Sequence, residues 1–73
     1  MDDATKALIS NLFGEATALI EDAHDLAVKG QSKKSNAKAL IGVATALRAM
    51  TEEAGILAQA AMILARRAQH KGH

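Results

Sequence analysis

The residues best suited to chemistry lie in the N-terminal half of the chain, where Glu21 and His24 are three positions apart. On a helix this spacing brings a carboxylate and an imidazole together, and both are good ligands for transition metals. The apolar positions of this segment centre between Ala16 and Ala23, which places His24 about 90° to the side and Glu21 farther round. We therefore expect the pair to face solvent and to hold no metal.

Two resemblances involve His24. The spacing of Glu21 and His24 resembles that in ferritin-like di-iron bundles, but the sequence has no second such pair. The segment from Ala23 to Leu26 resembles the phosphoacceptor region of some histidine phosphotransferases and kinase dimerisation domains, which implies phosphoryl transfer to His24. In those families the histidine lies well inside a long helix, whereas Gly30 is expected to end this one. A metal-binding or phosphoacceptor bundle is our second alternative.

A strip of basic, aromatic and hydrogen-bonding residues follows one edge of the same segment. Its members are Lys6, Ser10, Phe13, Thr17 and His24. On a hairpin dimer this strip resembles the RNA-contacting face of Rop-type plasmid copy-control regulators, which implies nucleic-acid binding. A nucleic-acid-binding regulator of this architecture is our first alternative. Because acidic residues on the same helix would repel phosphates, we expect no nucleic-acid partner. Two basic groups are expected at opposite ends of the fold, Lys33, Lys34 and Lys38 at one and Arg66, Arg67 and Lys71 at the other.

The composition limits the fold and the chemistry. The 73 residues are rich in alanine and include no cysteine, proline, tryptophan or tyrosine, which excludes disulfides and thiolate sites and favours helices. No nucleophile, base and acid can be assembled, so we expect no enzyme and no cofactor. His70 and His73 would form only a weak metal pair at a frayed end. The acidic start and the interrupted apolar run at residues 54–65 predict a cytoplasmic protein without a transmembrane segment.

An apolar repeat with alternating spacings of three and four runs through both halves of the chain. It comprises Ile9, Leu12, Ala16, Leu19, Ala23 and Leu26, and then Leu40, Val43, Leu47, Met50, Ala54, Leu57, Ala61, Leu64 and Ala68. This pattern predicts a single all-α domain over residues 1–73, with helices at about 3–29 and 36–70 and a hinge at 30–35. We expect Asp2 or Asp3 and Ser35 or Asn36 as N-caps, and Gly30 at the C-terminal capping position.

The two helices are expected to form an antiparallel hairpin. We place Ile9, Leu12, Leu19, Leu26, Leu40, Leu47 and Leu57 in the seam between them. If Lys29 lies opposite Asn36, Leu19 faces Leu47 and Leu12 faces Ala54. In that register, residues 63–69 extend beyond the first helix without a partner.

Each helix has more apolar surface than a single seam can cover, because further stripes run beside the seam. We therefore expect two hairpins to associate as a dimeric four-helix bundle. The interface candidates are Phe13, Ile20, Met50, Ile56, Ile63 and Leu64. The function we predict is a non-enzymatic oligomerisation and protein-interaction module, such as a small adaptor, regulator or chaperone-like protein, with a second protein as a further partner.

Overall fold

Two α-helices joined by a loop at residues 31–36 make up the fold. The computed structural model describes residues 1–71, with α1 at Asp3–Gly30 and α2 at Ala37–Lys71. The helices pack against each other in an elongated hairpin with Cα extents of 57 × 14 × 12 Å. No strand occurs within residues 1–71. The prediction of an all-α hairpin is confirmed.

Both helices begin at a side-chain cap. Asp2 is extended, with φ −73° and ψ 162°, and its Oδ1 accepts a hydrogen bond of 2.7 Å from the Thr5 amide. Asn36 Oδ1 accepts one of 2.8 Å from the Ala39 amide. These bonds satisfy amides that have no partner within the first helical turn, which fixes where each helix starts.

The C-terminus of α1 differs from the expected glycine cap. Gly30 is the last helical residue, Gln31 follows in the right-handed region at φ −81° and ψ −4°, and no residue of the described chain has a positive φ. The Gln31 amide donates to the Val28 carbonyl at 3.0 Å, which closes the helix with a tightened turn. Gly30 packs against α2 instead, because a Cβ placed on it would lie 3.5 Å from Val43 Cγ1.

The seam is narrow and contains little fully buried surface. Its buried and half-buried residues recur at spacings of three and four. They are Ile9, Leu12, Ala16, Leu19, Ala23 and Leu26 on α1 and Val43, Leu47, Met50, Ala54, Leu57, Ala61, Leu64 and Ala68 on α2. Only Ala16 and Ala61 are buried, at 9% and 2% exposure, among the residues described. The predicted seam residues are all half-buried except Leu40, which is 37% exposed.

The register differs from the expected one by one heptad. Val43 lies beside Gly30, and equal steps along the antiparallel helices from that contact bring Leu19 opposite Ala54 and Leu12 opposite Ala61. The predicted overhang at residues 63–69 is therefore wrong. Leu64 and Ala68 are half-buried in that segment, as are Ile9 and Thr5 at the matching levels of α1.

The path of the loop is consistent with the register in which Val43 lies level with Gly30. Because Val43 is level with the end of α1, the first six residues of α2 rise about 9 Å above that end. The loop must therefore run alongside the first residues of α2 to reach the start of that helix. It contains a turn in which the Ser35 amide donates a hydrogen bond of 3.4 Å to the Ser32 carbonyl. The overhang thus lies at the start of α2, where Leu40 and Ile41 are exposed.

Candidate interaction surface

The hairpin exposes much more surface than a compact protein of its mass. Its accessible area is 5818 Å², whereas about 4,300 Å² is typical of a compact monomer of 7.6 kDa. Large apolar side chains contribute to this area, with exposures between 37% and 67%. They are Met1, Leu8, Phe13, Ile20, Val28, Leu40, Ile41, Ile56, Met62 and Ile63. The hairpin therefore leaves apolar surface that packing between α1 and α2 does not cover.

The surface has two distinct faces, each built from one edge of each helix. On α1 one edge consists of the residues that follow Leu12, Leu19 and Leu26, and on α2 the equivalent edge follows Val43, Met50, Leu57 and Leu64. These edges lie on the same side because both helices are right-handed and run antiparallel. We call this side the Phe13 face. It comprises Phe13, Ile20 and Ala27 from α1 and Ala44, Thr51, Ala58 and Ala65 from α2, bordered by Gly55 and Met62.

The opposite side is formed by the residues that precede the other seam positions. We call it the Glu15 face. It comprises Leu8, Glu15, Asp22 and Lys29 from α1 and Ala46, Glu53, Ala60 and Arg67 from α2, with Ala49, Ile56 and Ile63 at its outer border. The six predicted interface residues are therefore divided. Phe13 and Ile20 lie on one face and Ile56 and Ile63 at the border of the other, while Met50 and Leu64 are half-buried in the seam.

The two faces differ in charge. The inner rows of the Glu15 face carry three carboxylates and two basic groups, whereas the matching rows of the Phe13 face carry one charged residue, Lys6, at their end. Arg48 lies at the outer border of the Phe13 face and its Nε donates to Glu52 Oε1 at 3.1 Å. The middle of the Phe13 face is therefore apolar and uncharged.

The small residues on the α2 side of the Phe13 face were not singled out from the sequence. Ala44, Thr51, Ala58 and Ala65 recur every seven residues, which was a usable signal. Their meaning depends on which helix edge lies beside them, and only the antiparallel pairing supplies that.

The strip of residues considered for RNA contact belongs to the Phe13 face. Phe13 is 57% exposed, and its carbonyl accepts a hydrogen bond of 2.8 Å from Thr17 Oγ1. The predicted basic groups are separated as expected, since exposed Lys33 and Lys34 lie in the loop and exposed Arg66 and Arg67 near the far end of α2. Among the described residues, the carboxylates of the Glu15 face lie between the two basic groups.

His24 lies on the exposed surface of α1, next to a single acidic side chain. Its Nδ1 is 3.7 Å from Asp25 Oδ1, and the two side chains are 75% and 85% exposed. Within residues 1–71, no group of three or more histidine or acidic side chains is arranged to hold a metal ion. His73, considered with His70 as a weak metal pair, lies outside the described residues.

Neither described helix has an apolar stretch long enough to cross a membrane. No family model, curated protein or solved structure matches the chain.

Proposed function

We propose that this chain is a non-enzymatic interaction module in which two helical hairpins associate as a four-helix bundle. The observation that supports this most directly is the small core. Ala16 and Ala61 are the only buried hydrophobic residues of the described chain, and no large side chain in it is fully buried. A bundle of two hairpins would cover a second seam on each helix and would provide the interior that one hairpin lacks.

The dimensions of the hairpin are compatible with a stable dimer. One side measures 57 by 14 Å between Cα positions, an area of about 800 Å², which is the size that each partner of a standard specific complex buries. Covering one side would also remove part of the apolar exposure of the free hairpin, and burial of such surface is the main favourable term in association.

Thermal unfolding at several protein concentrations tests this proposal. When folding and association are linked, the melting temperature rises with concentration, whereas the melting temperature of a monomer stays constant. We expect a clear rise over a hundredfold range around micromolar concentrations. A transition that stays at one temperature over that range contradicts self-association.

Three matched substitutions connect the effect to the surface. Ile20→Ser acts on the Phe13 face, Ile56→Ser at the border of the Glu15 face, and Val28→Ser on the outer ridge of α1 between the two faces. All three residues are β-branched and more than half exposed in the hairpin, at 60%, 66% and 52%. Self-association through either face predicts that Ile20→Ser or Ile56→Ser weakens the dimer while Val28→Ser does not. Equal behaviour of all three would contradict it.

A further inference from the structure

We infer that the second copy docks on the Phe13 face. The α1 edge of each hairpin, with its large side chains, packs on the α2 edge of the other, with its small side chains. Both loops then lie at the same end of the bundle. This inference rests on the proposed self-association and specifies its surface and orientation. It follows from charge, from side-chain size and from the geometry of two-fold symmetry.

Charge selects the face. A symmetric dimer through the Glu15 face would have a two-fold axis in the interface, either along the helices or across them. An axis along the helices brings Asp22 of one copy to the level of Glu53 of the other, and an axis across them can bring Asp22 near Glu15. The first arrangement, and the second when its axis lies between Glu15 and Asp22, places like charges together in a region that loses water, which disfavours docking. The middle of the Phe13 face has no such carboxylates.

Side-chain size selects the orientation. The α1 row of the Phe13 face presents Phe13 and Ile20 in its middle, with Ala27 at one end. The α2 row presents only alanines and Thr51, with Gly55 and Met62 at its border. The distance between packed helices follows the side chains at their contact. If α1 lay on α1 and α2 on α2, the first pair would be held apart by large side chains while the second pair approached closely. If α1 of each copy packs on α2 of the other, both helix pairs combine large with small side chains. The two interhelical distances are then equal, and two rigid hairpins can pack along their whole length.

Only a two-fold axis along the helices produces this pairing. Rotation about this axis does not change the position of a residue along the helix direction. Phe13 of one copy therefore lies level with the space between Ala58 and Met62 of the other copy. Ile20 likewise lies level with the space between Thr51 and Gly55. Gly55 has no atom within 4 Å of the position where a Cβ would stand, so the space beside it is open in the single hairpin. A thioether beside an aromatic ring, as for Met62 and Phe13, is a favourable contact.

Arginine substitutions at two exposed alanines of α2 test the face. Ala58 lies in the middle of the Phe13 face, and Ala49 at the outer border of the Glu15 face. We expect Ala58→Arg to raise the dimer dissociation constant at least about tenfold, because it adds bulk and charge to the interface, and Ala49→Arg to change it less than about twofold. Phe13→Gln and Leu8→Gln form a second pair that only removes exposed apolar surface, and circular dichroism checks that each variant stays helical.

Distances between loops test the orientation. The chain has no cysteine, so Lys34→Cys provides one site per copy for a spin label or dye. Loops at the same end place the two labels within about 20 Å, roughly two helix spacings. Loops at opposite ends place them near the 57 Å length of the hairpin.

The outcomes separate this inference from the proposed function. A dimer weakened by Ala58→Arg and Phe13→Gln, with short loop distances, supports the inference. A dimer weakened instead by Ala49→Arg and Leu8→Gln, or one with long loop distances, overturns it and leaves self-association standing. A wild-type chain that is monomeric throughout overturns both.

Discussion

Gly30 faces Val43 across the seam at the loop end of the hairpin. A Cβ on Gly30 would lie 3.5 Å from Val43 Cγ1, an ordinary van der Waals distance. This proximity identifies the register of the two helices, because the other pairings along the seam follow from it by equal helical steps.

Gly30→Ala is expected to stabilise the hairpin. Gly30 has helical backbone geometry without a positive φ, and its Cβ position is free of clashes. Replacing glycine by alanine at such a site raises the free energy of unfolding by about 0.5–1 kcal/mol. Urea unfolding measures the gain. Gly14→Ala is the control for the effect of alanine on the helix alone, because a Cβ on Gly14 meets nothing within 4 Å. Destabilisation by Gly30→Ala alone would show that the helices approach more closely than described.

A double-mutant cycle between Leu12 and Ala61 tests the register. Leu12→Ala leaves a cavity and Ala61→Leu overfills the seam, each at a cost of about 1–3 kcal/mol in unfolding free energy. Since the two positions face each other, the double variant should recover at least about 1 kcal/mol of the summed loss. Leu12→Ala with Ala54→Leu, the pair expected from the sequence alone, should recover none. Recovery by the Ala54 pair and not by the Ala61 pair would favour the other register.

Asn36→Ala is expected to lower the free energy of unfolding by about 1 kcal/mol, because the Ala39 amide loses the side-chain acceptor 2.8 Å away. Asn36→Asp, which keeps an acceptor oxygen, is the matched control and should retain most of the stability. Chemical denaturation compares the two variants. If alanine and aspartate behaved alike, the hydrogen bond would not be what starts α2.

The seam could be predicted from the sequence and the register could not. Leu12, Leu19, Leu47 and Leu57 follow the spacing of three and four, and burial depends on that spacing. Sliding one helix by seven residues still places one seam on the other, so Leu12 meets an alanine in both registers. The two registers differ in the path of the loop at residues 31–36, which the spacing of apolar residues does not describe.

The six residues predicted as interface candidates differ in exposure. Phe13, Ile20, Ile56 and Ile63 are exposed, whereas Met50 and Leu64 are half-buried in the seam. The division of the four exposed residues between two faces follows from the seam positions and the antiparallel pairing, but it becomes visible only when both helices are considered together. That division determines which residues a partner could contact together.

Sedimentation equilibrium of the unmodified chain tests the central claim most directly. We predict a mass of twice the 7.6 kDa chain at tens of micromolar, falling toward one chain on dilution. A mass of one chain at every concentration, for a protein that still unfolds cooperatively, would contradict the claim that the hairpin completes its core with a second copy.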